Sequence, residues 1–524
     1  MPLAVHRCQQ ERYSTLVRHG GLRQPRQGAP ALPKVEAALT AARGCASAGL
    51  VGQANCPQWV RIVRAYGTVT STKNGLAFRR WAFRRLALQS HAKTVARLVC
   101  HGPACEILFH AKQGGDVSVE QVETLIVGGG QAGLAMSEQL GKRHLPHLVV
   151  ERHRIGERWR SERWDGLHAN GPAWHDRLPG MPIAGVDPED FATRDQMFEY
   201  LAAYAERIGA PTRCGVAVTA LHRREGGVGF RAETSAGAIE ANNVVAATGP
   251  FQHPVIPVVV PPETEVMQMH SSGYRNPGQL PEGAVLVVGA GSSGAQIADE
   301  LSRAGRHVYL SVSRHQRPPR RYRGHDFAWW LGVLGMWDAP VSDPPQKHVT
   351  IAVSGAYGGR TIDFRRLAAQ GVVLVGRTGG FRDGVMEFSA DLASDLAQGD
   401  ASYLSMLDAA DAYAVRERLD LPEEPAARTL DADPPCVTDP ILQLNLREAG
   451  ITAIVWATGY ALDFGWLKVD VFNERSVPVH RRGVTDVPGL YFLGLSWLSR
   501  RASAFIFGAE KDAAHLAEHI AARA

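Results

Sequence analysis

Cysteine is scarce in this chain: seven in 524 residues, with no CxxC anywhere. A disulfide scaffold or a zinc ribbon needs paired spacings, so neither is expected, and free thiols in a reducing cytoplasm are. Long apolar runs are also missing. Without about 18 consecutive apolar residues no membrane span is expected. The 20 histidines include no HExxH motif, and no metal site is expected.

Acidic residues are scarce at the start. Residues 1–116 carry 17 Lys or Arg against 4 Asp or Glu, a net of +13, while the remainder carries −8. Cys8, Cys45, Cys56, Cys100 and Cys105 fall in this same part, leaving only Cys214 and Cys436 beyond it. Three readings are open for the segment. It is Arg-rich like a targeting peptide, but has four serines and no apolar h-region near its start. Its basic face, with a candidate amphipathic helix over 74–99, could meet a membrane or nucleic acid. The leading reading is a poorly ordered leader outside the working fold, with the gene's true start at Val117. No nucleic-acid partner is expected for the rest.

What is present after Val117 is strongly patterned. In VETLIVGGGQAGLA, residues 122–135, an apolar run ending at Val127 suits a buried parallel strand. It runs into Gly128, Gly130 and Gly133 in GxGxxG spacing, and then Gly133, Met136, Ser137 and Leu140 fall on one helix face. Glycines let the backbone approach a pyrophosphate, and the first N–H groups of the helix point at it. The next strand, HLVVE, ends in Glu151, 18 residues beyond Gly133, where an acid bonds ribose hydroxyls.

The pattern repeats about 160 residues on. GAVLVVGAGSSGAQIADEL, residues 283–301, has an apolar strand, then Gly289, Gly291 and Gly294 with Ser292 inside the turn, then a stripe at Gly294, Ile297, Ala298 and Leu301. Two such units imply two dinucleotides. The acid is missing after this second site. Between Glu300 and Asp326 there is none; Ser311, Ser313 and Arg314 follow the strand, with Arg317, Arg320, Arg321 and Arg323 behind. Hydroxyls and a guanidinium bind a 2′-phosphate that a carboxylate would repel, so this site is expected to prefer NADPH.

From Val117 to the C-terminus the chain resembles the flavin-containing monooxygenases, in particular bacterial members of the class that includes N-hydroxylating and Baeyer-Villiger enzymes. The matches run in order: the first GxGxxG, GERW at 156–159, ATGP at 247–250, HSSGYRNP at 270–277, the second GxGxxG, ATGY at 457–460 and GLYFLG at 489–494. The resemblance implies that Gly128, Gly130, Gly133 and Glu151 hold FAD with Trp159 beside them. It gives Thr248, Gly249, Thr458 and Gly459 to links between the nucleotide domains, and Gly494 to the return of the chain toward the flavin. An asparagine near the flavin ring corresponds to Asn170. His270 and Tyr274 match the later half of the family's FxGxxxHxxxY motif, whereas Thr264 and Val266 stand where Phe and Gly belong. The chain therefore departs from the typical subgroups.

The fold expected is α/β with two Rossmann-like dinucleotide-binding domains. The NADPH domain, 271–449, is inserted into a discontinuous FAD domain, 117–270 and 450–524. The resemblance implies that NADPH reduces the flavin, and that one oxygen of O2 passes through a C4a-(hydro)peroxyflavin to a nitrogen, a sulfur or a carbonyl centre of a small molecule. A flavin disulfide reductase would need a redox CxxC, which is absent. A flavin oxidase or diaphorase, and a non-catalytic redox sensor or interaction protein, stay open, as does the oligomeric state. Trp329 and Trp330 are candidates for a substrate pocket or a helix core, as are Trp497 and Phe505 near the flavin. A helix starting near Gly508 is placed to aim its N-terminus at the flavin, its inward face being Ala513, Leu516, Ala517 and Ile520.

Overall fold

The computed structural model describes residues 94–101, 104–111, 119–341 and 350–523. The chain divides into two compact units, Met1–Val117 and Ser118–Ala524. In the first, Thr94–His101 and Ala104–Ala111 pair antiparallel, with Cys100 opposite Cys105. The helix expected over 74–99 therefore gives way to a strand from Thr94, in whose antiparallel register Ala96 lies opposite Phe109 and Leu98 opposite Ile107. The rest of that helix, and the leader's expected disorder, lie outside the described residues.

The second unit is built around two large sheets. In the first, Thr212–Cys214, His147–Glu151, Glu120–Val127 and Gly237–Ala246 run parallel in that order, and Leu490–Phe492 joins in parallel beside Val244–Ala246. Val218–Arg223 and Phe230–Thr234 extend it antiparallel. The second sheet is wholly parallel: Met267–His270, Ile451–Trp456, Ala284–Val288, Val308–Ser311 and Val373–Val375. Parallel strands covered on both sides read as continuous apolar runs. AVLVV is such a run: Val285 and Val287 face one core while Leu286 and Val288 face another.

One chain thus leaves the first sheet after Ala246 and rejoins it at Leu490, with the second sheet between. Two Rossmann-like units, one inserted into the other, is the fold. Met267–His270 and Ile451–Trp456 both belong to the second sheet. A short antiparallel pairing joins Tyr460 to Pro254 and Ala461 to His253.

Helices cover the first sheet with the faces their periodicity assigns. Met136 and Leu140 of Gln131–Gly141, and Ala513, Leu516, Ala517 and Ile520 of Ala509–Ala521, are fully buried in one core. In the second domain Ile297, Ala298 and Leu301 of Ser292–Arg303 do the same. Trp159 packs against both the core of the first sheet and one core of the second.

Candidate functional site

The two glycine turns have the same construction. Gly128 has φ +116°, and a Cβ there would lie 2.6 Å from the Ala247 carbonyl oxygen; Gly289 has φ +105°, and a Cβ would lie 2.6 Å from that of Ala457. Each partner is the first residue of an ATG segment. Glycine is required because L side chains rarely adopt this φ and because backbone blocks the space. Gly133 and Gly294 pack directly against the carbonyls of Gly128 and Gly289, bringing each helix onto its strand. Both helices begin at a glycine, Gly130 or Gly291, with no side chain capping the first turn. The N–H groups of those turns are left for an anion. Space beside Gly130 is open, a cradle in which a Cβ would touch nothing.

Glu151 ends its strand beside the first turn. Its carboxylate accepts from the Gly129 N–H at 2.7 Å and from the His153 N–H at 2.9 Å, so it shapes the turn as well as facing it. Gly494, at φ +75°, leaves only 2.5 Å between a would-be Cβ and Ala132 Cβ, so the returning chain presses against the first helix. Gln131 donates to the Ala504 carbonyl at 3.3 Å, which carries the segment before the last helix to the same turn. That helix starts after Gly508, as expected.

At the ATG links, Gln252 donates to Thr248 Oγ1 at 2.8 Å and to the Gly249 carbonyl at 2.7 Å. Thr458 donates to the Val255 carbonyl, and the Val255 N–H returns a bond to the Gly459 carbonyl at 3.0 Å. His270 donates through Nε2 to that same carbonyl at 2.9 Å, while its Nδ1 accepts from the Ser272 N–H at 3.1 Å. Only the neutral Nε2–H tautomer makes both bonds, and burial lowers the pKa of this imidazole. Tyr274 donates to Glu300 at 2.8 Å. Both motif residues therefore brace the links and the second helix.

After the strand Val308–Ser311, the Ser311 hydroxyl is buried and bonded to Gly376 and Thr378, which removes it from a ligand role. Ser313 is half-buried. Arg314 is 81% exposed with only a loose approach to Asp395 at 3.9 Å, which leaves its guanidinium available. The later arginines differ from a basic loop. Arg317 is buried against Asp400 at 2.6 Å and Asp363 at 3.3 Å, Arg320 against Asp326 at 2.6 Å, and Arg323 meets Asp411 at 3.0 Å. These arginines pair with carboxylates, and three of the partners lie far off in sequence.

Asn170 lies where the two domains touch. Its side-chain oxygen accepts from Gln296 at 3.0 Å and its carbonyl from Arg320 at 2.6 Å. Next to it, the Gly171 N–H donates to Asp176 at 2.9 Å, and Asp176 also accepts from His175 at 2.8 Å. Sequence singled out neither Gln296 nor Arg320 as a partner of Asn170, nor Asp176 and His175 as neighbours of Gly171. The only local signal is the adjacent His-Asp pair in GPAWHD. Trp330 is core, fully buried with Nε1 donating to the Tyr322 carbonyl, and Trp329 stacks on His325 at 3.9 Å. Phe505, 41% exposed, meets Trp337 edge-on at 5.2 Å, and Trp497 takes φ +57° under Arg501.

The sequence pattern of the family described as pyridine nucleotide-disulphide oxidoreductase matches residues 125–328, from the first glycine turn through the second. A protein of Geobacillus kaustophilus named uncharacterized oxidoreductase CzcO-like is 33% identical over 403 residues, covering 76% of this chain and 98% of that one. The chain belongs to the CzcO-like oxidoreductases. Bacillus subtilis CzcO is 27% identical over 76% of this chain and 99% of its own length. Indole-3-pyruvate monooxygenase YUCCA1 of Oryza sativa subsp. japonica is 32% identical over 45% of this chain and 59% of that protein. Among solved structures, the flavin-containing monooxygenase from Stenotrophomonas maltophilia covers 77% of this chain and 99% of its own at 20% identity and TM-score 0.53, a likeness of fold.

The resemblance drawn from the motifs and the family membership agree. This CzcO-like chain is an oxidoreductase similar to flavin monooxygenases, and that similarity implies a flavin and a nicotinamide cofactor. The disulphide chemistry in the matched family's name is not accompanied by a CxxC in this sequence, and Cys214 and Cys436, the two cysteines of the second unit, are free. Among the described residues, no helix is long and apolar enough to cross a membrane.

Proposed function

We propose that this CzcO-like protein is an FAD- and NADPH-dependent monooxygenase that transfers one oxygen atom of O2 to a nucleophilic nitrogen or sulfur, or to a carbonyl centre, of a small molecule. The duplicated glycine turn carries this reading: two uncapped helix N-termini, each behind a positive-φ glycine facing its own ATG segment, with different residues at the ribose positions. Glu151 fits an unphosphorylated ribose at the first turn; Ser313 and the exposed Arg314 fit a 2′-phosphate at the second. The sheet crossings would fall at the ATG links, 247–250 and 457–460. With free thiols in the second unit, a reducing cytoplasm is its proposed setting.

The bound cofactors would supply hydride transfer and oxygen activation. The chain's own part is to bind and orient. First-turn N–H groups of Gln131–Gly141 and Ser292–Arg303 would hold the two pyrophosphates, and Glu151 would accept from the adenosine ribose of FAD. Asn170, fixed by Gln296 and Arg320, would present its carboxamide to the reacting end of the flavin. His270, neutral and bonded to Gly459, would hold the crossing between domains in one position.

Rapid mixing of the NADPH-reduced protein with oxygen tests this. A near-ultraviolet-absorbing species that persists before the oxidised flavin spectrum returns supports the monooxygenase. Immediate reoxidation with stoichiometric hydrogen peroxide means a flavin oxidase instead.

A further inference from the structure

Gln296 is out of character for its position. It occupies one turn of Ser292–Arg303 beside Ile297, Ala298 and Leu301, which are apolar and fully buried, yet it is a polar side chain only 4% exposed. Its Nε2 donates to Asn170 Oδ1 at 3.0 Å and reaches the Val353 carbonyl at 3.5 Å, while its Oε1 is shut off from solvent without a donor. An apolar residue would fill this place without leaving a buried amide oxygen unpaired. The side chain is held here for the one contact it makes across the domains.

A second path joins the same points. Ser292, first residue of the helix behind the second glycine turn, donates its hydroxyl to the Ile351 carbonyl at 3.0 Å and accepts from the Val353 N–H at 3.4 Å. One residue further, the Ser354 carbonyl accepts from Arg320 at 3.2 Å, and the same Arg320 Nη1 donates to the Asn170 carbonyl. Segment 351–354 is therefore bonded at one end to the second nucleotide turn and at the other to the arginine that fixes Asn170. Gly355 packs directly on the Ala169 carbonyl, leaving no slack between the segment and the Asn170 loop.

We infer that Gln296 is a positioning residue that couples occupancy of the second nucleotide turn to the orientation of the Asn170 carboxamide at the first. This rests on the reading of the two turns as NADPH and FAD sites. A phosphate held by the first-turn N–H groups competes for Ser292 and shifts segment 351–354. That changes what Val353 offers Gln296, and so the tilt of Asn170 toward the flavin. Gln296 acts through Asn170, so its removal alters communication between cofactors while each still binds.

The test uses the full-length holoprotein and NADP+ without turnover, reading the change in the visible flavin spectrum and, separately, NADP+ affinity by calorimetry. Gln296→Met is expected to keep its flavin and bind NADP+ within about threefold of the parent, while losing most of the NADP+-induced spectral change. The Gln296→Met/Asn170→Ala double variant should lose no more than Asn170→Ala alone, the mark of a shared path. A full spectral change in Gln296→Met, or additive losses in the double variant, overturns the inference. Should Gln296→Met fail to fold, Gln296→Glu keeps the volume and places an acceptor against Asn170 Oδ1. It must then alter the NADP+-induced change, and a parent-like response overturns the inference. A parent that binds NADP+ with an unchanged flavin spectrum overturns the coupling alone; a parent that binds no NADP+ overturns the cofactor reading as well.

Discussion

The guanidinium of Arg320 and the carboxylate of Asp326 meet at 2.6 Å with both side chains at most 2% exposed. Nothing is left over on the arginine: Nε and Nη2 take the carboxylate, and Nη1 takes the carbonyls of Asn170 and Ser354. Phe191 and Phe327 each lie 4.5 Å from its planar carbon. A charge so deep is tolerated only because every donor is used.

Arg320→Met should therefore destabilise by about 3–5 kcal/mol, because Asp326 is left as an uncompensated buried charge. The Arg320→Met/Asp326→Leu double variant should recover part of this, the remainder reflecting the lost cap that Asp326 gives the Ala328 N–H at 2.9 Å. Denaturant unfolding reads both. A single variant as stable as the parent would mean the pair is open to water.

Gly128→Ala and Gly289→Ala should separate the two cofactors. Each adds a Cβ against a backbone carbonyl at positive φ, with strain of about 1–3 kcal/mol concentrated in one turn. Gly128→Ala should purify largely without flavin, and Gly289→Ala should keep flavin while its KM for NADPH rises about tenfold or more. Flavin content per chain and steady-state kinetics check this; the reverse pattern would exchange the two assignments.

Arg314→Ala should raise KM for NADPH about tenfold and leave KM for NADH nearly unchanged, since an exposed guanidinium is lost only to the 2′-phosphate. Arg317→Ala, removing the buried partner of Asp400 and Asp363, should lower the melting temperature without changing the NADPH to NADH preference. Equal loss for both nucleotides in Arg314→Ala would discard this account of selectivity.

Acid should weaken the fold first through its buried histidines. Burial holds the imidazoles of His147, His270, His315 and His480 below the ordinary histidine value. The unfolded chain then binds more protons than the folded one, so the stability is present above the unfolded value, about 6.5, and is lost as pH falls toward the folded values. Buried Glu300 and Asp395 are shifted upward and act in the opposite sense as they take protons. Between about pH 7.5 and 6 the histidines should dominate, lowering the melting temperature by a few degrees, ~2–6 °C. A flat or rising melting temperature over that range would contradict it.

Much of the architecture was legible because its causes are local. A positive-φ glycine, an uncapped helix start and an apolar strand each declare themselves within about twenty residues, and both glycine turns and the last helix follow their sequence patterns. Even the tautomer of His270 comes from bonding close to HSSGYRNP, though its carbonyl partner, Gly459, lies 189 positions away. The arginines after the second site show where such reading stops. Asp326, noted in sequence only as the end of the acid-free run, turns out to hold Arg320 six residues before it, and Asp400, which buries Arg317, is 83 residues off and has no local signature.

The sequence by itself determined that two Rossmann-like units exist and which glycines shape them, because strand, turn and helix form from contacts between neighbours along the chain. Only the tertiary structure decided that Met267–His270 and Ile451–Trp456 share the second sheet, and that Gln296 and Arg320 both hold Asn170. The hold on Asn170 depends on segments 126 and 150 residues apart meeting where burial makes each unpaired polar atom costly and so selects partners that spacing cannot name.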